Sequence, residues 1–162
     1  MAKKKVYLKK KFESTGVPSD TSANIYESML LSPAWKSLTS NQQVLYLTCK
    51  AQYYAEKTTH KPAQYPDGNE ALFTMNRAKW RDKYELYTGN NSAGFYRDMK
   101  ALIEKGFIAC IESGRNTRTK SIYLLSHRWR DYGTDRFKVP LREMTPSMAM
   151  ERRMEKLPPS SE

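Results

Sequence analysis

The stretch SAGFYRDMKALIEKGFIACI, residues 92–111, contains patterns for two kinds of structure in direct succession. Apolar residues recur every three or four positions in its first part, which predicts a helix from Ser92 to Lys105. Gly106 then stands where a left-handed residue commonly ends a helix. The apolar, partly β-branched run after it predicts a strand over residues 107–111. The residues that we expect to face the core are Phe95, Met99, Leu102, Ile103 and Phe107.

The segments on either side extend this pattern. Upstream, residues 71–75 are typical of a short strand, and Asn76 is a good N-cap for a helix over Arg77–Tyr84. Downstream, a polar, basic loop at residues 113–119 leads into a second strand at residues 120–125. The order strand, helix, turn, helix, strand, basic loop, strand predicts a winged helix-turn-helix, an α+β fold with a two-stranded wing.

A further helical region precedes these elements. Ser32 can cap a short helical turn with Pro33 at its first position. Thr39 or Ser40 can cap a longer, extra N-terminal helix of about residues 41–56. This helix carries an amphipathic stripe, which predicts an inner face made of Val44, Leu45, Leu47, Thr48, Ala51 and Tyr54.

The chain of 162 residues is expected to hold one domain, residues 25–137, between two appendages. The basic N-terminal arm, residues 1–24, has six lysines among its first twelve residues and is either a disordered arm or a short edge strand. The C-terminal tail, residues 138–162, contains an amphipathic segment from Met144 to Met154. This segment is either a dimerisation or docking helix, since methionine adapts to varied interfaces, or a helix that only packs on the domain.

The charge balance favours a polyanionic partner. Lys and Arg number 28 against 17 Asp and Glu, a formal net charge of +11, and binding to phosphates releases condensed counterions. A basic surface that only aids solubility is the alternative. No run approaches the ~18 apolar residues of a membrane span, and no signal peptide is evident. Cys49 and Cys110 fit reduced core thiols, so we expect a cytoplasmic protein that does not bind a membrane.

The second helix of the helix-turn-helix supplies the candidate base contacts. Arg97 can donate two hydrogen bonds to one guanine. Gly94 either lets a DNA backbone approach closely or only relieves packing against the preceding helix. The residues predicted to contact DNA from this helix are Asn91, Ser92, Gly94, Tyr96, Arg97 and Lys100.

The basic loop supplies candidate contacts to the DNA backbone. Three cations within six positions suit phosphate binding or insertion into the minor groove. The predicted contacts of the loop are Arg115, Asn116, Arg118 and Lys120. Arg77 and Lys79 on the preceding helix are further candidates for backbone contacts.

The sequence contains no readable pattern for catalysis. His60 and His127 are the only histidines, and neither a His-x-His nor a His-Glu-x-x-His pattern occurs. A phosphate-binding glycine loop and a paired-carboxylate motif are also missing. We therefore expect a non-enzymatic protein with no metal and no cofactor.

Four segments resemble winged helix-turn-helix proteins of Gram-positive conjugative plasmids and integrative conjugative elements. They are Ser32–Thr39, Asn90–Ile108, Thr117–Tyr123 and Trp129–Thr134. The resemblance implies DNA binding on a mobile element, as an accessory factor at a transfer origin, a replication protein or a repressor.

Applied to single residues, the resemblance assigns Arg97 to the DNA-facing side of the helix and Arg115 and Arg118 to the wing. Gly94 departs from the pattern, since a small polar residue is more usual there. The prediction is a sequence-selective accessory or regulatory protein that binds double-stranded DNA, with relaxase or replication proteins as candidate partners and homodimerisation left open. A replication initiator that docks origin DNA and an interaction scaffold without DNA binding are the alternatives.

Overall fold

The computed structural model describes residues 22–52, 72–89, 91–115 and 118–156, and the fold is given for those ranges. It is a mixed α+β structure. Its helices are α1 (Glu27–Leu30), α2 (Pro33–Lys36), α3 (Ser40–Ala51), a π-helical turn (Ala78–Lys83), α4 (Ser92–Glu104), two 3-10 turns (Arg128–Asp131 and Leu141–Glu143) and α5 (Pro146–Met154). None of these helices is long and apolar enough to cross a membrane.

The described residues also form one three-stranded antiparallel sheet. Its strands are β1 (Leu72–Thr74), β2 (Ile108–Glu112) and β3 (Ile122–Leu125). Their spatial order is β1-β3-β2, and Tyr123 of the central strand pairs with Phe73 on one side and Cys110 on the other. All three strands are confirmed, each within two residues of its predicted bounds.

The predicted succession of helix, glycine and strand is confirmed. α4 ends at Glu104, and Gly106 has a φ of +78°, the left-handed conformation that glycine adopts without steric cost. The predicted inner face is also confirmed, because each member is at most 2% exposed: Phe95, Met99, Leu102, Ile103 and Phe107. The Phe107 ring lies among other aromatic rings, with its centroid 5.0 Å from that of Tyr46 and 6.0 Å from that of Trp35.

α3 begins where the sequence predicts. Thr39 and Gln42 form a capping box, in which each side chain accepts the backbone N–H of the other residue. The helix ends at Ala51 rather than near residue 56, and residues 53–71 lie outside the described part of the chain.

The predicted inner stripe of α3 is wrong for most of its described members. Val44 is 45% exposed, and three further members are only half-buried: Leu47, Thr48 and Ala51. The core face instead consists of Gln42, Leu45, Tyr46, Cys49 and Gln52. Both sets recur at helical spacing, and the set with two polar amides packs inside because those amides find buried partners there.

The predicted helix before α4 is a π-helical turn over Ala78–Lys83. Asn76 caps it, since its Oδ1 accepts the Lys79 N–H at 3.2 Å. Trp80 is buried and stacks on Phe95 of α4 with 4.9 Å between ring centroids. The turn therefore packs directly on the first half of α4.

The C-terminal segment is part of the packed body. Val139 and Met148 are buried in the main hydrophobic cluster, and the buried Glu143 carboxylate forms an ion pair with Arg128. α5 lies within the predicted amphipathic segment, and Thr145 caps it. As far as residue 156, this segment therefore packs against the rest of the described chain, in agreement with the packing alternative.

Candidate nucleic-acid interface

The first turn of α4 is closed by a side-chain cap. Asn91 Oδ1 accepts the Gly94 N–H at 2.9 Å. Gly94 is buried, and a Cβ built on it would lie 2.8 Å from the Asn91 amide. The Asn91 side chain is therefore a close neighbour that a Cβ at position 94 would displace, and the approach of a DNA backbone to this glycine stays a prediction.

The outward face of α4 presents a short line of polar and aromatic side chains. Ser92 is exposed at the start of the helix, Tyr96 is 65% exposed, and the Arg97 side chain is 73% exposed. All three lie in the first half of the helix. A partner can therefore reach the N-terminal half of α4 over a continuous surface.

A buried carboxylate lies directly beneath this face. Asp98 is 1% exposed, and it accepts hydrogen bonds from Gln42 Nε2 at 3.1 Å and from the Tyr87 hydroxyl at 2.8 Å. The exposed Arg97 also donates to Asp98, with its Nε 3.4 Å from Oδ1. This carboxylate joins α3, the segment between the π-helical turn and α4, and α4 itself, so it fixes the direction in which the outward face points.

The sequence did not single out Asp98 or its two buried partners, Gln42 and Tyr87, as site residues. The available signal was spacing, because position 98 lies three residues after Phe95 and four before Leu102, on the inner face of the helix. Burial and the hydrogen bond to Asp98 raise the pKa of Tyr87 above its ordinary value, so its hydroxyl stays protonated and donates.

The loop between β2 and β3 carries the second group of cations. Arg115, Arg118 and Lys120 are all exposed, while Asn116 lies outside the described residues. Backbone hydrogen bonding closes the loop, since the Thr119 N–H donates to the Gly114 carbonyl at 3.2 Å. The three described cations therefore project from a narrow hairpin tip.

The candidate cations before α4 differ in their surroundings. Arg77 is exposed. Lys79 is half-buried, and its Nζ donates to Gln52 Oε1, to Thr74 Oγ1 at 2.9 Å and to the Thr74 carbonyl at 3.1 Å. The Lys79 ammonium connects the C-cap of α3 to β1, and its contact with a DNA backbone stays a prediction.

α5 adds a neighbour to the interface that the sequence did not indicate. Lys100 of α4 donates to Glu151 Oε2, and this hydrogen bond raises the pKa of Lys100. Arg115 of the hairpin tip donates through Nη1 to Ser147 Oγ at 2.8 Å. Two of the predicted DNA contacts are thus engaged by α5.

Comparison with known proteins adds no relative. The chain matches no protein-family model, no curated protein and no solved structure. Within the described ranges, no group of three or more His, Cys, Asp or Glu side chains is placed to hold a metal ion. Cys49 and Cys110 are buried free thiols.

Proposed function

We propose that this chain binds double-stranded DNA as a winged helix-turn-helix protein. The element order β1, π-helical turn, α4, β2, hairpin tip, β3 and the strand order β1-β3-β2 support this fold. In this assignment α4 is the recognition helix, and the tip between β2 and β3 is the wing.

The observation that carries the proposal is the joint exposure of cations on α4 and on the hairpin tip. Arg97 extends from a helix whose opposite face is fully buried, and Arg118 and Lys120 extend from a loop without apolar side chains. A chain with a formal net charge of +11 also attracts a polyanion over longer distances.

The mechanism follows from this arrangement. The N-terminal half of α4 enters the major groove, where Arg97 donates to base edges and Ser92 to phosphate oxygens. The hairpin tip lies on the neighbouring backbone, and Arg118 and Lys120 neutralise phosphates. Asp98 holds α4 at a fixed angle to α3, so that base contacts and backbone contacts form together.

We further propose a non-enzymatic accessory or regulatory role on a conjugative element. This part rests on the resemblance of the sequence segments described above to proteins of such elements. It implies a relaxase or a replication protein as the second partner.

The test begins with selection of a preferred duplex from a random pool, followed by fluorescence anisotropy titrations of that duplex and of an unrelated one. Arg97→Ala is expected to cost about 1–3 kcal/mol on the selected duplex and to relax its preference. Arg118→Ala is expected to weaken both duplexes alike and to lower the salt slope of log K by about one unit.

Lys36→Ala is the matched control, because it removes one exposed cation from α2. It is expected to leave sequence preference unchanged. Binding of the selected duplex by Arg97→Ala and Arg118→Ala as tightly as by the wild type would show that the assigned face is wrong. A wild-type protein that binds no duplex at low salt would contradict the proposed function itself.

A further inference from the structure

α5 contacts both halves of the proposed DNA interface at once. Glu151 accepts from Lys100 on α4, and Ser147 accepts from Arg115 on the hairpin tip. Ser147 and Glu151 are four residues apart, so they form one line along the same side of α5. This side of α5 therefore bridges α4 and the hairpin tip.

The charges around Lys100 make this half of α4 unsuitable for a phosphate. Glu104 lies 3.8 Å from the Lys100 ammonium, and Glu151 is bonded to it. Glu155 adds a third negative charge nearby, and all three carboxylates raise the pKa of Lys100. While α5 is docked, a DNA phosphate approaching Lys100 meets three like charges.

α5 is held by few contacts. Met148 is its buried residue, whereas α4 has six. Arg152 adds a hydrogen bond from Nη1 to the Val139 carbonyl at 2.6 Å. A cavity of about 240 Å³ lies between α5 and α4, and Met150 and Met154 are exposed on the far side of the helix. A nine-residue helix with one buried side chain can leave the body without unfolding it.

We propose that α5 is a displaceable cover of Lys100 on α4 and Arg115 on the hairpin tip, and that duplex DNA displaces it to reach these two cations. The inference rests on the DNA-binding function proposed above. While α5 is docked, it forms hydrogen bonds with Lys100 and Arg115 of the interface, so α5 and DNA compete for these two cations. DNA binding therefore includes the cost of undocking α5, and any change that weakens docking tightens DNA binding.

The test uses the full chain with Glu151→Gln, titrated against the selected duplex at low salt. Loss of the ion pair is expected to tighten binding by about two- to fivefold, and the gain should shrink as salt screens the pair. Glu27→Gln is the matched control, since it makes the same change of net charge on the exposed surface of α1. It should give a smaller gain.

A double-mutant cycle separates the cover from simple charge addition. In a Lys100→Gln background, Glu151→Gln should tighten DNA binding no more than Glu27→Gln does. Glu151 has no Lys100 ammonium to release in this background. A second variant, Met148→Ala, loosens α5 without a charge change and should also tighten binding while circular dichroism shows an intact fold. On addition of DNA, the amides of residues 146–154 should exchange hydrogen faster.

The results that would overturn the cover are distinct from those against DNA binding. If the wild type binds the duplex but Glu151→Gln gains no more than Glu27→Gln, or binds more weakly, α5 does not compete with DNA. Slower amide exchange in α5 on DNA addition would instead make α5 a DNA contact. Absence of duplex binding by every variant would remove the proposed function, and the cover with it.

Discussion

Replacing Tyr87 by phenylalanine isolates one hydrogen bond beneath α4. The hydroxyl donates to Asp98 at 2.8 Å in a buried site, and the ring packs edge-on against Trp80 and Phe95 with centroids 5.7 and 5.9 Å away. Phenylalanine keeps those ring contacts and removes only the donor. The variant therefore reports on the carboxylate anchor without opening a large cavity.

The size of the effect follows from what Asp98 retains. A hydrogen bond to a charged group contributes about 1.5–3 kcal/mol. Gln42 still donates at 3.1 Å, while Arg97 donates at 3.4 Å from a largely exposed side chain and compensates little. We expect Tyr87→Phe to lower the free energy of unfolding by about 2 kcal/mol, or roughly 4–8 °C in Tm for a chain of this length.

Urea denaturation followed by circular dichroism measures this difference. Tyr96→Phe is the matched control, because it removes the hydroxyl of a tyrosine of α4 that is 65% exposed. It is expected to stay within about 0.5 kcal/mol of the wild type. If Tyr87→Phe also stays within that range, Asp98 does not depend on Tyr87, and the anchor described for α4 is incorrect.

Three further predictions concern the cap, the C-terminal ion pair and the response to alkaline pH. Gly94→Ala should lower the free energy of unfolding by about 0.5–2 kcal/mol, because the added Cβ displaces the Asn91 cap. Ala93→Ser, on the exposed side of the same turn, should lower it much less. Equal unfolding midpoints of the two variants would contradict the role of the cap. Glu143→Ala should cost about 1.5–3 kcal/mol by removing a charged hydrogen-bond partner of Arg128, whose half-buried side chain water can still reach. The exposed Glu104→Ala should lie near the wild type in the same urea titration. Burial raises the pKa of the Cys110 thiol from 9.0 to about 11, so its contribution to stability is fully present below pH 9 and is lost as the pH rises toward 11. That loss is about 3 kcal/mol for a shift of about two pKa units. Cys110→Ala removes this loss, so its unfolding midpoint should fall less steeply between pH 9 and 11 than that of the wild type, and an equally steep fall would count against the prediction.

Local patterns were sufficient to predict α4, Gly106 and β2. Each of these elements is set by neighbours in the chain, since a helical repeat of apolar residues, a left-handed stop and a β-branched run follow one another. The same kind of pattern was ambiguous in α3. Val44 and Leu45 both belong to helical repeats, and tertiary contacts decide which repeat packs inside, among them Phe107 against Tyr46 and Asp98 bonded to Gln42.

Long-range contacts account for what could not be predicted in the candidate site. Lys100 and Glu151 are 51 positions apart, and Arg115 and Ser147 are 32 apart. No sequence periodicity relates positions so far apart. The sequence therefore predicts that Lys100 and Arg115 contact DNA, and it does not indicate their contacts with α5. Asp98 could be predicted in part. Its spacing indicates an inward position, but its partners are Gln42 of α3 and Tyr87, which precedes α4.

The Lys79 ammonium has a practical consequence for redesign of this chain. It donates hydrogen bonds to Gln52, the C-cap of α3, and to Thr74 at the end of β1, so one side chain connects these two elements. The contact between the end of α3 and β1 thus depends on a side chain from a third element, so a redesign of either element has to keep the Lys79 ammonium in place.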